Sequence, residues 1–285
     1  MLNDINNIQV SQQIKHRLFD RNNTRHLNLT IYVGYDELSF AIDDEQESGI
    51  VFLKSYRLKD ANNYFAYKLL LSELLEQEEL FTNQYNKISI GLNAANYTLV
   101  PHKYYDPSSA ERYFDFNVQY DGSSKIMTNF IEGVNCFAIF AMDFQLLETL
   151  TNIFGNFILQ HAVSYLIPAL PTKEGEKRLY ANLQKNNMDI VCVDGDKLIF
   201  CNTFKFNNPS EYLFHLLNAS KQSGIDPDTD QFIILGDINS DQQHYQLSKD
   251  YLVNLSFANR PADKKYCMEL DIIAPHQHFN LFAIR

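Results

Sequence analysis

The sequence predicts an α/β chain built from two copies of one βββαβαβ unit, each a mixed sheet with helices. Three observations predict it. Short runs rich in β-branched or alternating apolar residues come in two groups of three, the first starting at Leu27 and the second at Arg178. Each group is followed by apolar residues at helical spacing. Each helical stretch then leads into a short apolar run of the buried-strand kind, KISIGL at 87–92 and QFIILG at 231–236.

In the first copy, residues 1–25 are polar and Asn-rich and read as a loose arm or edge segment. LNLTIYV (27–33), DELSFAI (36–42) and IVFLKSYRL (50–58) read as a strand meander, with DDEQESG (43–49) as a charged turn. Phe65, Leu69, Leu70, Leu74 and Leu75 then recur at helical spacing, and Asp60 is placed to cap that helix. TLVP (98–101) reads as a strand that its proline ends. Asp106 to Ser109 reads as a turn and cap before SAERYF, and FDFNVQY (114–120) alternates like a strand.

A middle segment follows the turn DGSSK (121–125). VNCFAIFAMD (134–143) predicts a strand, and FQLLETLTNIFG (144–155) a helix that Gly155 stops. FILQH (157–161) reads as a strand running into AVSYLIPAL, and Pro168, Pro171 and TKEGEK (172–177) mark a junction. In the second copy, RLYANLQ (178–184), MDIVCV (188–193) and KLIFCNTFKF (197–206) form the meander. Asn186-Asn187 is its first turn, and Asp194-Gly195 is the strongest hairpin signal in the chain. SEYLFHLLNASKQSG (210–224) predicts a helix capped by Ser210 and stopped by Gly224. SDQQHYQLSKDYL (240–252) predicts another helix, and VNLSFA (253–258) a last strand. The domain division is an arm at 1–25, a first lobe at 26–125, a connecting strand–helix–strand segment at 126–177 and a second lobe at 178–285.

Composition narrows the function classes. The 285 residues carry a net charge of −11, and hydrophobic residues make up 45%. An acidic chain without a basic run is a poor partner for nucleic acid, whose phosphates need Lys and Arg. No apolar run reaches the ~18–20 residues that span a bilayer, so no membrane insertion is expected. The four cysteines form no Cys-x-x-Cys pair and no disulfide framework, which favours a cytoplasmic location.

Three antiparallel strands followed by αβαβ is the ribonuclease-H-like order, and two copies in one chain is the plan of the actin-like ATPases. GLNAANYTLVP (91–101), CNTFKFNNPSEYLFHLL (201–217) and FIILGDI (232–238) resemble an uncharacterised bacterial family with an actin-like ATPase fold. The resemblance runs from about Leu27 to the end. That family is similar in plan to the pilus-assembly protein PilM, and residues 134–162 resemble the segment that joins its two halves. The resemblance implies a fold and no activity, since fold does not fix function.

It also implies where phosphate chemistry would sit. An active actin-like ATPase carries Asp-x-Gly in its first hairpin, where the Asp serves Mg²⁺ and water and the glycine lets backbone approach phosphate. Here Tyr32 stands in the Asp position, followed by Val33, Gly34, Tyr35 and Asp36. The second hairpin reads Asn182-Leu183-Gln184-Lys185-Asn186-Asn187, with neither Asp nor Gly. The glycine pair near the adenosine is reduced to Gly236, followed by Asp237, and the chain holds only 10 glycines.

The sequence therefore favours a non-enzymatic actin-fold scaffold or protein-binding module with degenerate nucleotide motifs, acting through a protein partner or by self-assembly. The alternative is an ATPase or phosphotransferase with rearranged loops, using ATP and Mg²⁺ held by Asp36 or Asp237. Under either reading Gly34, Tyr35, Asp36, Gly236 and Asp237 are the candidate nucleotide-contacting residues. Tyr104 and Tyr113, within a dense run of aromatics, are the candidate partner-binding residues. No catalytic residue and no metal site is assigned. His276 and His278 would share one face of a strand, but read better as a polar loop before a last strand. Asp226, Asp228 and Asp230 lack the glycine and glutamate of a calcium loop and read as solvated charge. Cys192 and Cys201 read as small apolar residues inside strands.

Overall fold

The alternating and β-branched runs become strands because each puts one or both faces into a core. The computed structural model describes residues 7–45, 48–59, 64–94, 96–118, 120 and 122–285. In chain order the first part holds β1 (Ile8–Lys15), β2 (Asn28–Val33), β3 (Glu37–Asp44), β4 (Gly49–Leu58), α1 (Tyr64–Gln77), β5 (Lys87–Leu92), β6 (Tyr97–Pro101) and α2 (Ala110–Asn117). Next come β7 (Ser124–Ile131), β8 (Cys136–Asp143), α3 (Phe144–Phe154), β9 (Ile158–His161) and α4 (Ala162–Ala169). The second part holds β10 (Lys177–Gln184), β11 (Asn187–Asp194), β12 (Lys197–Lys205), α5 (Pro209–Ser223), β13 (Gln231–Gly236), α6 (Gln243–Lys249), β14 (Leu255–Phe257) and α7 (Phe279–Ala283).

The duplication is visible in the sheets. One runs β1-β4-β3-β2-β5-β9 and another β12-β11-β10-β13-β14. Leaving the edge strand β1 aside, both place the third, second, first, fourth and fifth strands of a unit side by side. The meanders pair antiparallel, with Ile31 opposite Phe40 and Ala181 opposite Ile190. The crossover strands pair parallel, with Ile31 beside Ile90 and Ala181 beside Ile234. A third, antiparallel sheet, β6-β8-β7, is inserted between β5 and β9 of the first unit.

Several elements differ from expectation. The part of FDFNVQY from Phe114 to Asn117 is helical and not a strand, because α2 runs on to Asn117 and the Val118 amide closes it on the Phe114 carbonyl at 2.9 Å. The helix puts Phe114 into the core with Val100 and Ile139, and turns Phe116 outward at 89% exposure. β7 takes in IMTNFI, which carried no strand assignment. β9, placed within the connecting segment, completes the first sheet by pairing with β5. AVSYLIPAL forms the buried helix α4, with Pro168 inside its last turn. The last element is the helix α7 rather than a strand. The proposed helix cap Asp60 lies outside the described residues.

Besides the small cluster of Val100, Phe114 and Ile139, three larger apolar clusters are found among the described residues. One lies between the first sheet, α1 and α3, and one between the second sheet, α5 and α6. The third spans both units: Tyr32 and Leu53 from the first sheet and Tyr180 and Leu235 from the second meet α4 and α7. No helix of the described residues is long and apolar enough to cross a membrane.

Candidate functional site

The carboxyl ends of β2, β5, β10 and β13 converge between the two units. Open α/β sheets gather ligands at this end, where strand order switches direction. The first hairpin closes with the Gly34 amide donating to the Glu37 carbonyl at 2.9 Å, while the Tyr67 hydroxyl donates to the Gly34 carbonyl. In the second, Lys185 takes a positive φ of 41° at the tip.

The two hairpin strands bond directly to one another. Tyr32, 1% exposed, donates its hydroxyl to Gln184 Oε1 at 2.5 Å. Asn93 Nδ2 donates to the same oxygen at 2.5 Å. Gln184 Nε2 and Asn182 Nδ2 in turn donate to Asp189 Oδ2 at 3.1 and 3.0 Å. Thr203 Oγ1 donates to Asp189 Oδ1 at 2.7 Å. Burial raises the Asp189 pKa, and Thr203, Asn182 and Asn93 pull against it.

Beside this polar layer lies a cavity of about 190 Å³, lined among others by Tyr35, Asp36, Glu37, Arg57, Gly236 and Asp237. Arg57 organises it. Its Nη1 reaches Asp36 Oδ1 at 3.2 Å and its Nη2 reaches Asp237 Oδ2 at 2.6 Å. Lys185 Nζ stands 3.5 Å from Asp36 Oδ2. The two carboxylates assigned to Mg²⁺ in the enzymatic alternative are thus bridged by one guanidinium. Glu37 sits at the edge, 4.0 Å from Arg57. Burial pushes its carboxyl up to about 7; Arg57 opposes the rise, and Asp237 and Asp36 add to it. Among the described residues no group of three or more His, Cys, Asp or Glu side chains is arranged to hold a metal.

Gly236 is fixed by backbone geometry. Its φ is +96°, and an added Cβ would lie 2.1 Å from the Leu183 carbonyl oxygen. The Asp237 amide donates to that oxygen at 2.9 Å. Gly34 is less constrained, since its Cβ would meet only side-chain atoms of Glu37 and Tyr32, at 2.9 and 3.0 Å.

Tyr35, Asp36, Gly236 and Asp237 therefore border one cavity, whereas Gly34, at the hairpin tip beside Tyr35, does not line it. Tyr104 and Tyr113 are elsewhere, beside the three-stranded sheet. Tyr113 donates to the Tyr104 carbonyl at 2.7 Å, and Tyr104 is 64% exposed. Tyr105 stacks on Phe137 at 3.8 Å, and Phe137 meets Phe130 at 5.1 Å. His276 and His278 do not share a strand face. The His276 ring stacks on Phe257 at 4.0 Å, while His278 Nε2 pairs with Gln12. Asp226 and Asp230 fold a solvent-facing turn through backbone amides. All four cysteines are free thiols.

Sequence reasoning missed Arg57, Asn93 and Gln184. Arg57 was legible in part. It lies directly opposite Glu37 on paired strands, and opposite charges across an antiparallel pair attract. The contacts of Asn93 and Gln184 join residues far apart in the chain and left no local signal.

A sequence model of a family described as protein of unknown function (DUF3822) matches residues 15–255. A search of curated proteins finds no match. A solved structure from Bacteroides thetaiotaomicron, a protein with actin-like ATPase fold and unknown function, aligns with a TM-score of 0.75 at 18% identity. The alignment covers 85% of this chain and 94% of that one. A PilM–PilN type IV pilus biogenesis complex aligns with a TM-score of 0.53 at 13% identity, over 90% of this chain and 97% of that one. The fold is that of the actin-like ATPases.

Proposed function

The chain belongs to the DUF3822 family of proteins of unknown function, and we propose that it is a non-catalytic actin-fold protein that acts by holding a protein partner or further copies of itself. The observation that carries this reading is the Arg57 bridge. The Arg57 guanidinium lies between Asp36 and Asp237 and Lys185 stands beside Asp36, so the carboxylates available to a metal are already engaged by cations. Tyr32 adds to it, because its ring and hydroxyl occupy the place where the first hairpin of an active ATPase offers a carboxylate. The second hairpin has no short residue at its tip for close approach of phosphate, and in the first the bulky Tyr35 follows Gly34.

The aromatic surface beside the three-stranded sheet supports a binding role. Tyr104, Phe116 and Phe130 are 64%, 89% and 45% exposed. Aromatic residues of this kind anchor protein interfaces. PilM, which shares the fold, is found in a complex with PilN.

Calorimetric titration of the purified protein with ATP and Mg²⁺, repeated with ADP, tests the reading. No heat and no thermal stabilisation are the expected results. Micromolar binding that Asp36→Asn or Asp237→Asn abolishes would establish the ATP- and Mg²⁺-using alternative instead. The partner surface has its own test. Tyr104→Ala and Tyr113→Ala should each weaken capture of the partner or self-association, and unchanged behaviour of both removes this surface from the proposal.

A further inference from the structure

A cavity of about 340 Å³ lies at the opposite end of the first sheet from the Arg57 cluster, beside the start of β2 and β5 and the end of β3. Its floor is polar by register. Asn28 of β2 lies opposite Asp43 of β3 and beside Lys87 of β5, and Thr30 lies beside Ser89 in the next row. Residues paired in this way share a face. One end of a buried sheet thus presents a carboxylate, an amide and two hydroxyls together. The roof is the chain at Asp263 to Lys265, with Ile284 and Arg285. It is fixed in place, because the Ile50 amide donates to the Lys265 carbonyl at 3.1 Å and Lys264 Nζ donates to the Ile284 carbonyl at 2.9 Å.

The independent observation is that this floor is buried and unpaired. Asp43, Thr30 and Ser89 are 7%, 6% and 3% exposed. Among the described residues none of the three side chains has a hydrogen-bond or ion-pair partner. Nor are their oxygens sealed in, since the unpaired side-chain atoms shut off from solvent all lie elsewhere. Buried polar groups in folded proteins are nearly always paired. Lys264 spends one of its three N–H groups on Ile284 and forms no ion pair with Asp43. Burial raises the Asp43 carboxyl above its ordinary range and lowers the Lys264 amine, and each of the two charges favours the other. A lone buried charge is costly, so opposite charges on one cavity normally close into a pair. Here β3 holds one and the Ile284 carbonyl holds the other, with the cavity between them.

We propose that this cavity binds a free amino acid, its ammonium group donating to Asp43 and its carboxylate accepting from Lys264 and from the hydroxyls of Thr30 and Ser89. The charge around the cavity selects that class. The other charged groups on its lining are Glu45, Asp263, Lys87, Lys265 and Arg285, and Arg285 pairs with Asp263 at 3.2 Å. A simple cation would meet Lys87, Lys264 and Lys265, and a simple anion would meet Asp43 and Glu45. A zwitterion turns its opposite end to each. The spacing agrees, because Asp43 and Thr30 are diagonal neighbours ~7–8 Å apart on paired strands. A small molecule bridges that distance with a hydrogen bond of ~2.8–3.0 Å at each end. The proposal stands apart from the Arg57 cluster and does not depend on whether that cluster binds nucleotide.

Thermal denaturation with each of the common amino acids, titrated into the millimolar range, tests it. Acetate and methylamine, which carry one charge each, are the controls. At about ten times Kd the bound amino acid should raise Tm by about 2–3 °C, and the controls at the same concentration should leave it unchanged. Asp43→Asn keeps the shape of the floor and removes its charge. It should leave the Tm of the free protein unchanged or higher and weaken binding at least about tenfold. Thr30→Val removes a hydroxyl that no protein group uses. It should weaken binding about fivefold, and it serves if the first variant folds poorly. No rise with any amino acid overturns the proposal. An equal rise with acetate or methylamine overturns it as well, as does a rise that both variants retain in full.

Discussion

Gly34 and Gly236 look alike in the sequence, each a lone glycine after a buried strand where an ATPase would cradle phosphate. Their geometry separates them. Gly236 has a φ of +96° and no room for a Cβ against the Leu183 carbonyl, 2.1 Å away. Its glycine is required by the join between β10 and β13 whether or not a ligand is present. Gly236→Ala should cost about 3 kcal/mol, as expected for strain at a special φ. Gly34→Ala has no positive φ and no backbone clash, and crowds only the side chains of Glu37 and Tyr32, so it should cost less, about 1–2 kcal/mol. Urea unfolding of the two variants makes the comparison. Equal losses would show that the Gly34 turn is as tightly held as the Gly236 one. Glu37 gives a pH-dependent outcome at the same scale. Its carboxyl is raised from 4.5 to about 7 in the folded chain, chiefly by burial. The folded state therefore holds this proton more tightly than the unfolded state does. Its contribution to stability is complete below about pH 4.5 and is lost as pH rises through about 7. Glu37→Gln should raise stability by about 1–2 kcal/mol at pH 8, discounted for partial exposure, and leave it unchanged near pH 4. A Tm difference that stays constant across that range would contradict the assignment.

Among the elements, α5 carries the clearest terminal signal. Its N-cap is Asn208 and not the expected Ser210, because Pro209 occupies the first helical position and the cap must precede it. Asn208 Oδ1 accepts from the Glu211 amide at 2.9 Å, and Glu211 Oε2 accepts from the Asn207 amide at 2.9 Å. Asn-Pro-Ser-Glu was legible as a cap, a first-turn proline and an acidic third residue, and the serine drew attention away from it. Asn208→Ala should lower stability by about 1 kcal/mol, and Ser210→Ala should leave it nearly unchanged. A reversed order in urea midpoints would restore Ser210 as the cap. The meanders and buried strands were readable because period-two alternation and apolar runs are local. FDFNVQY was not, because four apolar or aromatic residues in alternation fit a strand as well as a short helix. Only the packing of Phe114 against Val100 and Ile139 decides between them. The polar contacts at the candidate site were unreadable for a further reason. Tyr32 and Gln184 are 152 residues apart in the chain and meet only where the two hairpins pack together.

That docking rests on α4 and α7. Neither helix is amphipathic in the sense that reveals a surface helix, because α4 is buried from Ala162 to Ile167 and α7 along its whole length. Their burial comes from being enclosed between two sheets, which no period in the sequence announces. Phe279 and Phe282, both 0% exposed, belong to the same apolar cluster as Leu53 of one sheet and Leu235 of the other. An apolar cluster shared by both units makes them unfold together, since opening either one exposes the surface the other needs. Phe282→Ala removes a ring from the centre of that cluster and should cost about 3–5 kcal/mol. The cost should fall on both units at once. Calorimetry of the parent protein should give one transition, with calorimetric and van't Hoff enthalpies equal. In the variant, amide exchange should quicken together at residues 29–33 of β2 and 179–183 of β10, although these strands lie in different sheets. Faster exchange confined to one strand would mean that the lobes unfold independently. The cavities between them would then be hinged, able to open around a ligand as large as a nucleotide.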